Sequence, residues 1–154
     1  PIYISGKGPD VPMRVAKWGS GWMLSRMQDK GVKARINDLS IAMNTVGRDV
    51  SEIDITTTRG VSIATTTKKA FEQYNKSLLP KRTSGSTLER IMQQNLIGTP
   101  TEIIEQVQAL QEEGITHLIA QDFAVNSFQE FTDQLQLFGE EVMPIFLSKD
   151  RVVK

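Results

Sequence analysis

An α/β fold of parallel strands is predicted by three observations. Short β-branched apolar runs alternate along the chain with longer segments of helical spacing. Glycine or proline stands at most of the changes from one period to the other. The resulting order, β-α-β-α-β-α-(α)-α-β-α, separates successive strands by helices, and such strands pair in parallel through right-handed crossovers. A length of 154 residues with 39 % apolar and 23 % charged residues sets the expectation of one globular domain rather than a disordered chain.

The elements follow in order. Ile2-Tyr3-Ile4 reads as a strand that ends in the turn Ser5-Gly6-Lys7-Gly8-Pro9. Asp10 to Trp18 reads as a helix on Val11, Val15, Ala16 and Trp18, stopped by Gly19-Ser20-Gly21. Trp22-Met23-Leu24 is a second short strand. Val32 to Val46 carries Ile36, Leu39, Ile41, Ala42 and Val46 at amphipathic spacing, with Gly47 as its stop. Ile53 to Thr67 is the clearest strand region, because β-branched residues favour the pleated backbone. Gly60 interrupts it and marks a bulge or close packing. Lys68 to Leu79 returns to helical spacing on Ala70, Phe71, Tyr74 and Leu78, and Leu88 to Leu96 reads as a short helix after a polar, basic connection. Thr99-Pro100-Thr101-Glu102 opens the next helix: Thr99 caps it, Glu102 reaches back, and Pro100 suits the first helical position. Gly114 stops it, Ile115 to Ala120 is a strand, and Ser127 to Val142 is a last helix with Phe128, Phe131, Leu135 and Phe138 inward. Four strand–helix units are half of the eight in a closed (β/α)₈ TIM barrel of about 250 residues. The expected fold is therefore a half-barrel of about four parallel strands with flanking helices, one domain over residues 1–154.

Composition excludes several chemistries. Lysine plus arginine and aspartate plus glutamate both number 18, so no charge excess points to nucleic acid. The absence of cysteine removes disulfides, thiolate metal sites and cysteine nucleophiles, and a single histidine, His117, removes histidine-rich metal sites and leaves little room for a Ser-His-Asp triad. No apolar run reaches the roughly 20 residues that span a bilayer, and Pro1 to Ser5 lacks a signal-peptide layout. The default expectation is a cytoplasmic protein that engages neither membrane nor nucleic acid. The chain opens directly inside an apolar run, which fits either a fragment of a longer protein or a short product that has lost its initiator methionine.

Three groups of residues resemble one family in order and rough spacing. Pro1-Ile2-Tyr3-Ile4-Ser5-Gly6-Lys7-Gly8-Pro9, then Ala16, then Gly21-Trp22-Met23, resembles the pattern P-[IV]-Y-I-x-[AG]-x-[GS]-P…A…D-G-W of luciferase-like oxidoreductases. Gly98-Thr99-Pro100 with Glu102, then Gly114-Ile115, is similar to that family's G-[ST]-P-x-E…G-[VI] segment, and Phe138 to Pro144 to its closing helix in V-x-P. The family usually has Asp where this chain has Ser20. The resemblance implies the C-terminal half of a TIM-barrel enzyme that uses FMN or the deazaflavin F420, with Gly8-Pro9 nearer to the F420 branch. The N-terminal half, which in the family supplies most contacts to the flavin ring, is not in this chain. The implied activity is hydride transfer or flavin-linked monooxygenation. The implied partners are a flavin-type cofactor and either an N-terminal half-barrel or a second copy, because an open four-stranded parallel sheet has unpaired edges. A non-catalytic, self-associating half-barrel is the alternative.

Candidate site residues follow from both lines. The loop Ser5-Gly6-Lys7-Gly8 lies between a strand and a helix start, where backbone N–H groups, the positive helix end and the Lys7 charge favour an anion. The resemblance implies that the cofactor phosphate sits there, against the plainer reading of a chain-reversing turn. Asp10 opposes it, since its carboxylate can occupy the same helix end. Trp22 is read either as a cofactor contact or as a core residue, and Trp18 as a packing residue. Ser25 and Arg26 after the second strand, and Gln121 with Asp122 after the last, stand at strand C-terminal ends, where barrel active sites lie, so they face substrate, a cofactor tail or solvent. Lys81 and Arg82 are either anion contacts or a solvated basic loop. His117 lies early in its strand, away from the catalytic rim.

Overall fold

The computed structural model describes residues 1–24, 31–82, 87–119 and 122–147, with the side chains of 81 and 82 outside that description. In chain order the first elements are β1 (Tyr3–Ser5), α1 (Val11–Trp18), β2 (Gly21–Leu24), α2 (Val32–Thr45), a 3₁₀ turn (Val50–Glu52), β3 (Asp54–Thr57) and β4 (Gly60–Ile63). There follow α3 (Thr67–Lys76), α4 (Leu79–Arg82), α5 (Leu88–Gln94), β5 (Asn95–Gly98), α6 (Pro100–Glu112), β6 (His117–Leu118), β7 (Asp122–Phe123), α7 (Phe128–Leu137), a π turn (Phe138–Val142) and α8 (Met143–Phe146). The chain divides into two compact units, Pro1–Arg59 with Ala109–Gln121 and Gly60–Gln108 with Asp122–Lys154.

In the first unit a four-stranded sheet runs β1-β2-β3-β6, every neighbouring pair parallel. The register aligns Ile4, Trp22 and Ile55 across the sheet, and these side chains share one face. That face packs against Val11, Val15 and Ala16 of α1 and Leu39, Ala42 and Met43 of α2. Burying an aliphatic side chain of this size stabilises by about 1.5–3 kcal/mol, so this cluster holds the two helices to the sheet. Arg48 ties the end of α1 down: its Nη1 donates to the carbonyls of Ala16 at 2.8 Å and Gly19 at 3.1 Å, where a helix leaves acceptors unpaired. Ile41 and Trp18, expected to pack inward, are 61 % and 62 % exposed. On α2 the inward stripe is Val32, Arg35, Leu39, Ala42 and Met43, so Ile41 falls on the opposite side.

The second unit carries a three-stranded parallel sheet in the order β5-β4-β7. The expected single strand over 53–67 breaks at Thr58 and Arg59, and its halves pair in different sheets. Arg59 Nη1 donates to Thr57 Oγ1 at 2.5 Å and to the Thr58 carbonyl at 2.9 Å, which holds the break. Gly60 marks close packing: a Cβ there would collide with the Asn95 side-chain oxygen. Residues 95–96, expected at the end of a helix, open β5 instead. Asn95 is extended, and its Nδ2 donates to the Ile91 carbonyl at 2.8 Å, capping α5 one step earlier. β7 is only two residues long, too short for a periodic signal. In α7, Phe128 and Leu135 are exposed rather than inward, and the buried position is Gln134. Its Oε1 accepts from the Ile63 N–H at 3.0 Å and its Nε2 donates to the Ala124 carbonyl at 2.8 Å, doing for the strand ends what a longer β7 would do. Leu78 is likewise exposed, because α3 ends at Lys76.

The α6 start is as the sequence predicts. Glu102 Oε2 accepts from the Thr99 N–H at 2.7 Å, and Thr99 Oγ1 accepts from the Glu102 N–H at 3.4 Å. Thr67 Oγ1 adds a third donor to Glu102 at 2.9 Å. The Thr99 N–H first, and then the Thr67 and Thr99 hydroxyls, hold the Glu102 carboxyl below its ordinary value against an opposing desolvation.

Two outcomes follow. Gly60→Ala lowers the urea midpoint by an amount corresponding to about 1–3 kcal/mol of overpacking, with the m-value unchanged. Glu102 has a folded-state pKa below its unfolded one, so its contribution is present above about pH 4.3 and is lost as the pH falls through the folded value. Denaturant titrations of Glu102→Gln should therefore show a deficit at pH 7 that shrinks below pH 4; a pH-independent deficit would contradict the assignment.

Candidate functional site

Parallel pairing puts the C-terminal ends of β1, β2, β3 and β6 at one rim of the first unit's sheet. The glycine loop after β1 lies on this rim. Gly6 has φ 139°, a region that only glycine enters without strain. A Cβ there would lie 2.9 Å from Val11 Cγ2 and 3.6 Å from Arg14 Nη2. The side chains of Val11 and Arg14 therefore crowd close to Gly6, and two cationic side chains stand near the loop: exposed Lys7 in it and Arg14 one helical turn into α1.

The donors of the helix start differ from the expectation. The Val11 N–H is used by the Gly8 carbonyl at 3.2 Å, and Pro12 has none. Asp10 makes no side-chain cap. Its Oδ2 pairs with Arg14 Nε at 3.1 Å, and its Oδ1 lies 2.6 Å from where a Cβ on Gly8 would stand. The carboxylate therefore occupies the space beside Gly8, in an exposed pair of the kind worth at most about 1 kcal/mol.

A third cation stands behind the loop. Arg35 is buried, its guanidinium carbon lies 5.1 Å from the Trp22 ring centroid, and its Nη2 donates to the Lys7 carbonyl at 3.2 Å. Sequence reasoning missed Arg35. The available signal was its place in the inward stripe of α2, where a charge needs a partner. Trp22 is fully buried on the helix-covered face, packed in the core and stacked against Arg35, so its ring offers no open surface to a ligand.

The opposite face of the same sheet holds a second polar group that sequence reasoning did not assemble. Tyr3 Oη donates to Asp54 Oδ2, and His117 Nδ1 lies 3.7 Å from Asp54 Oδ1. Thr116 Oγ1 is 2.9 Å from the same His117 nitrogen. Gly21 makes this possible, because a Cβ on it would run into the Tyr3 ring that crosses it. His117 pairs in register with Thr56, one residue before the C-terminal ends of β3 and β6 and level with Ser5, so it lies closer to the rim than its expected place early in a longer strand. The hydrogen bond to Asp54 is the largest cause that raises the Tyr3 phenol above its ordinary value, followed by desolvation and the Asp54 charge.

Ser5 lies at the end of β1 with its hydroxyl donating to the Met23 carbonyl at 3.3 Å. Ser25, Arg26 and Gln121 lie outside the described residues, as do the side chains of Lys81 and Arg82, whose backbone closes α4. Asp122 opens β7 in the second unit. Among the described residues no cluster of three or more His, Asp or Glu side chains is arranged to hold a metal, and no helix is long and apolar enough to cross a membrane.

The luciferase-like monooxygenase family model matches residues 1–117. The chain belongs to this family. Among solved structures, it superposes on the coenzyme F420-dependent tetrahydromethanopterin reductase from Methanopyrus kandleri with a TM-score of 0.74 and 18 % identity, over 96 % of this chain and 51 % of that one. A monooxygenase from Streptomyces bottropensis matches with a TM-score of 0.73 and 19 % identity, over 94 % and 48 %. A long-chain alkane monooxygenase matches at 0.70 and 19 %, over 96 % and 42 %. A search of curated proteins finds no match. This luciferase-like chain thus spans about half the length of its structural neighbours, and its parallel strands with flanking helices form a partial TIM barrel.

The Tyr3 assignment is open to spectroscopy. The alkaline absorbance difference between the native chain and Tyr3→Phe isolates one phenol, which should ionise above the usual value of about 10. Asp54→Asn should move that transition down toward 10, since the acceptor carboxylate and its charge are removed.

Proposed function

We propose that this chain is the C-terminal half of a flavin- or F420-dependent oxidoreductase, and that Ser5, Gly6, Lys7 and Gly8 seat the phosphate of its cofactor. The observation that carries this reading is the glycine loop at the sheet's C-terminal rim with Lys7, Arg14 and Arg35 around it. The residues present fit a phosphate once the exposed Asp10 carboxylate beside Gly8 moves aside: Gly6 and Gly8 bring no side chain of their own, and cations offset the charge. The cofactor supplies the hydride chemistry, or monooxygenation with oxygen. The chain's part is to bind and orient. Lys7 neutralises, Gly6 and Gly8 let the backbone approach, and Trp22 acts from behind through Arg35 rather than as a wall against the ring. Ser25, Arg26 and Gln121, which follow β2 and β6 in sequence, are proposed to reach substrate or the cofactor tail. The Gly8-Pro9 pair tips the choice toward F420 over FMN.

The other half of the site comes, in this proposal, from an N-terminal half-barrel or a second copy of the chain. Two facts support this: the neighbours are about twice as long, and β1 and β6 are edge strands of a parallel sheet. The same open edges favour a second reading, a self-associating half-barrel without catalysis.

Fluorescence titration with FMN and with F420 separates the two. Saturable binding is expected for one or both. Gly6→Asp should abolish it, because it adds a carboxylate to the seat and a Cβ at φ 139°. Lys7→Ala should weaken it about tenfold, the loss of one charge-assisted contact. Absence of binding to either cofactor would leave the scaffold reading.

A further inference from the structure

We infer that Arg35 is a positioning residue that aims the phosphate loop by fixing one peptide group; this rests on the phosphate-seat reading above. The peptide concerned joins Lys7 to Gly8. Gly8 on its far side has no side chain to restrict the torsion next to that peptide, so the loop itself gives its rotation little resistance there. Arg35 supplies the resistance from α2. Its Nη2 donates to the Lys7 carbonyl at 3.2 Å and holds that oxygen inward. The peptide is trans, so the Gly8 N–H points the opposite way, away from Arg35 and out of the unit's core. A buried guanidinium is costly unless it is engaged. Here its Cζ stands over the fully buried Trp22 ring, 5.1 Å from the centroid, a cation–π contact that restricts where the donor points. Lysine cannot reproduce this, because an ammonium has neither the plane that stacks nor the fork that donates sideways. Arg35 thus ties a donor direction in a flexible loop to the rigid core beneath it, and adds a positive charge behind the seat.

The test uses the whole 154-residue chain, with Arg35→Lys, Arg35→Met and, as a milder change that keeps the guanidinium, Trp22→Phe. Two quantities are read on variants that retain the native thermal transition. One is hydrogen exchange of the loop amides in the ligand-free protein. The other is the affinity ratio of FMN to riboflavin, which differ by the phosphate alone. Faster exchange at Gly8 is expected in all three, with a fall in the FMN-to-riboflavin ratio of about tenfold for Arg35→Met, less for Trp22→Phe, and only partial rescue by lysine. Riboflavin affinity should hardly move. A native chain with no preference for FMN sinks the phosphate seat itself. A preference that folded Arg35 variants retain in full leaves the seat standing and overturns the role of Arg35, whatever the exchange rates.

Discussion

Parallel strand pairing is the constraint on which the first unit depends. A parallel neighbour can be reached only by a crossover, so α1 and α2 must lie between the strands they connect. They then cover the sheet face carrying Ile4, Trp22 and Ile55, and the core forms there. The same rule sends every strand the same way, which brings the loop after β1, the end of β2 and the Thr58–Arg59 break to one rim. A glycine loop on that rim is held by a helix start on one side and by a core arginine from below. The site is thus a consequence of topology before it is one of composition.

Short strands leave backbone groups to be satisfied, and this chain uses side chains to do so. Gln106 pairs with both polar groups of Ile97, accepting from its N–H at 3.2 Å and donating to its carbonyl at 3.0 Å. Thr116 does the same for Ile55, accepting from the N–H at 2.9 Å and donating to the carbonyl at 3.2 Å. Gln134 continues the pattern beside β4. Each replaces a stretch of strand with one amide or hydroxyl, and a buried backbone group without a partner would cost about 1–3 kcal/mol. These glutamines and threonines are therefore structural, although their polarity makes them look like surface residues in the sequence.

That contrast sets how much could be read in advance. Long, strongly periodic segments were legible: α1, α2, α3 and α6 appear near their expected places, and the Thr99–Glu102 cap forms as its spacing predicts. What escaped depends on pairing rather than on period. β5 and β7 are too short to show alternation, and the run after Ile53 gives no local sign that its halves enter different sheets. The glycine loop was legible as a candidate site because its residue types carry their own physics. Arg35 lies 28 positions from Lys7, and the Tyr3–Asp54–His117 group spans more than 110 positions; only the folded register joins them. Of the two readings of Trp22, its burial in the core supports the packing one. The strand's two-residue alternation places its ring on the helix-covered face with Ile4 and Ile55.

Asp10 sets the strongest objection to an anion beside Gly8, and magnitudes decide it. Its carboxylate lies where an anion would approach, and it is paired with Arg14. Both side chains are about half exposed or more, at 68 % and 46 %, so water screens the pair and little is lost when it parts. A phosphate carries up to two charges against one and has three oxygens to share among Lys7, Arg14 and the loop amides. The carboxylate also accepts no backbone N–H as a cap that would hold it in place. Under the proposed phosphate seat, Asp10 is the occupant that the ligand displaces.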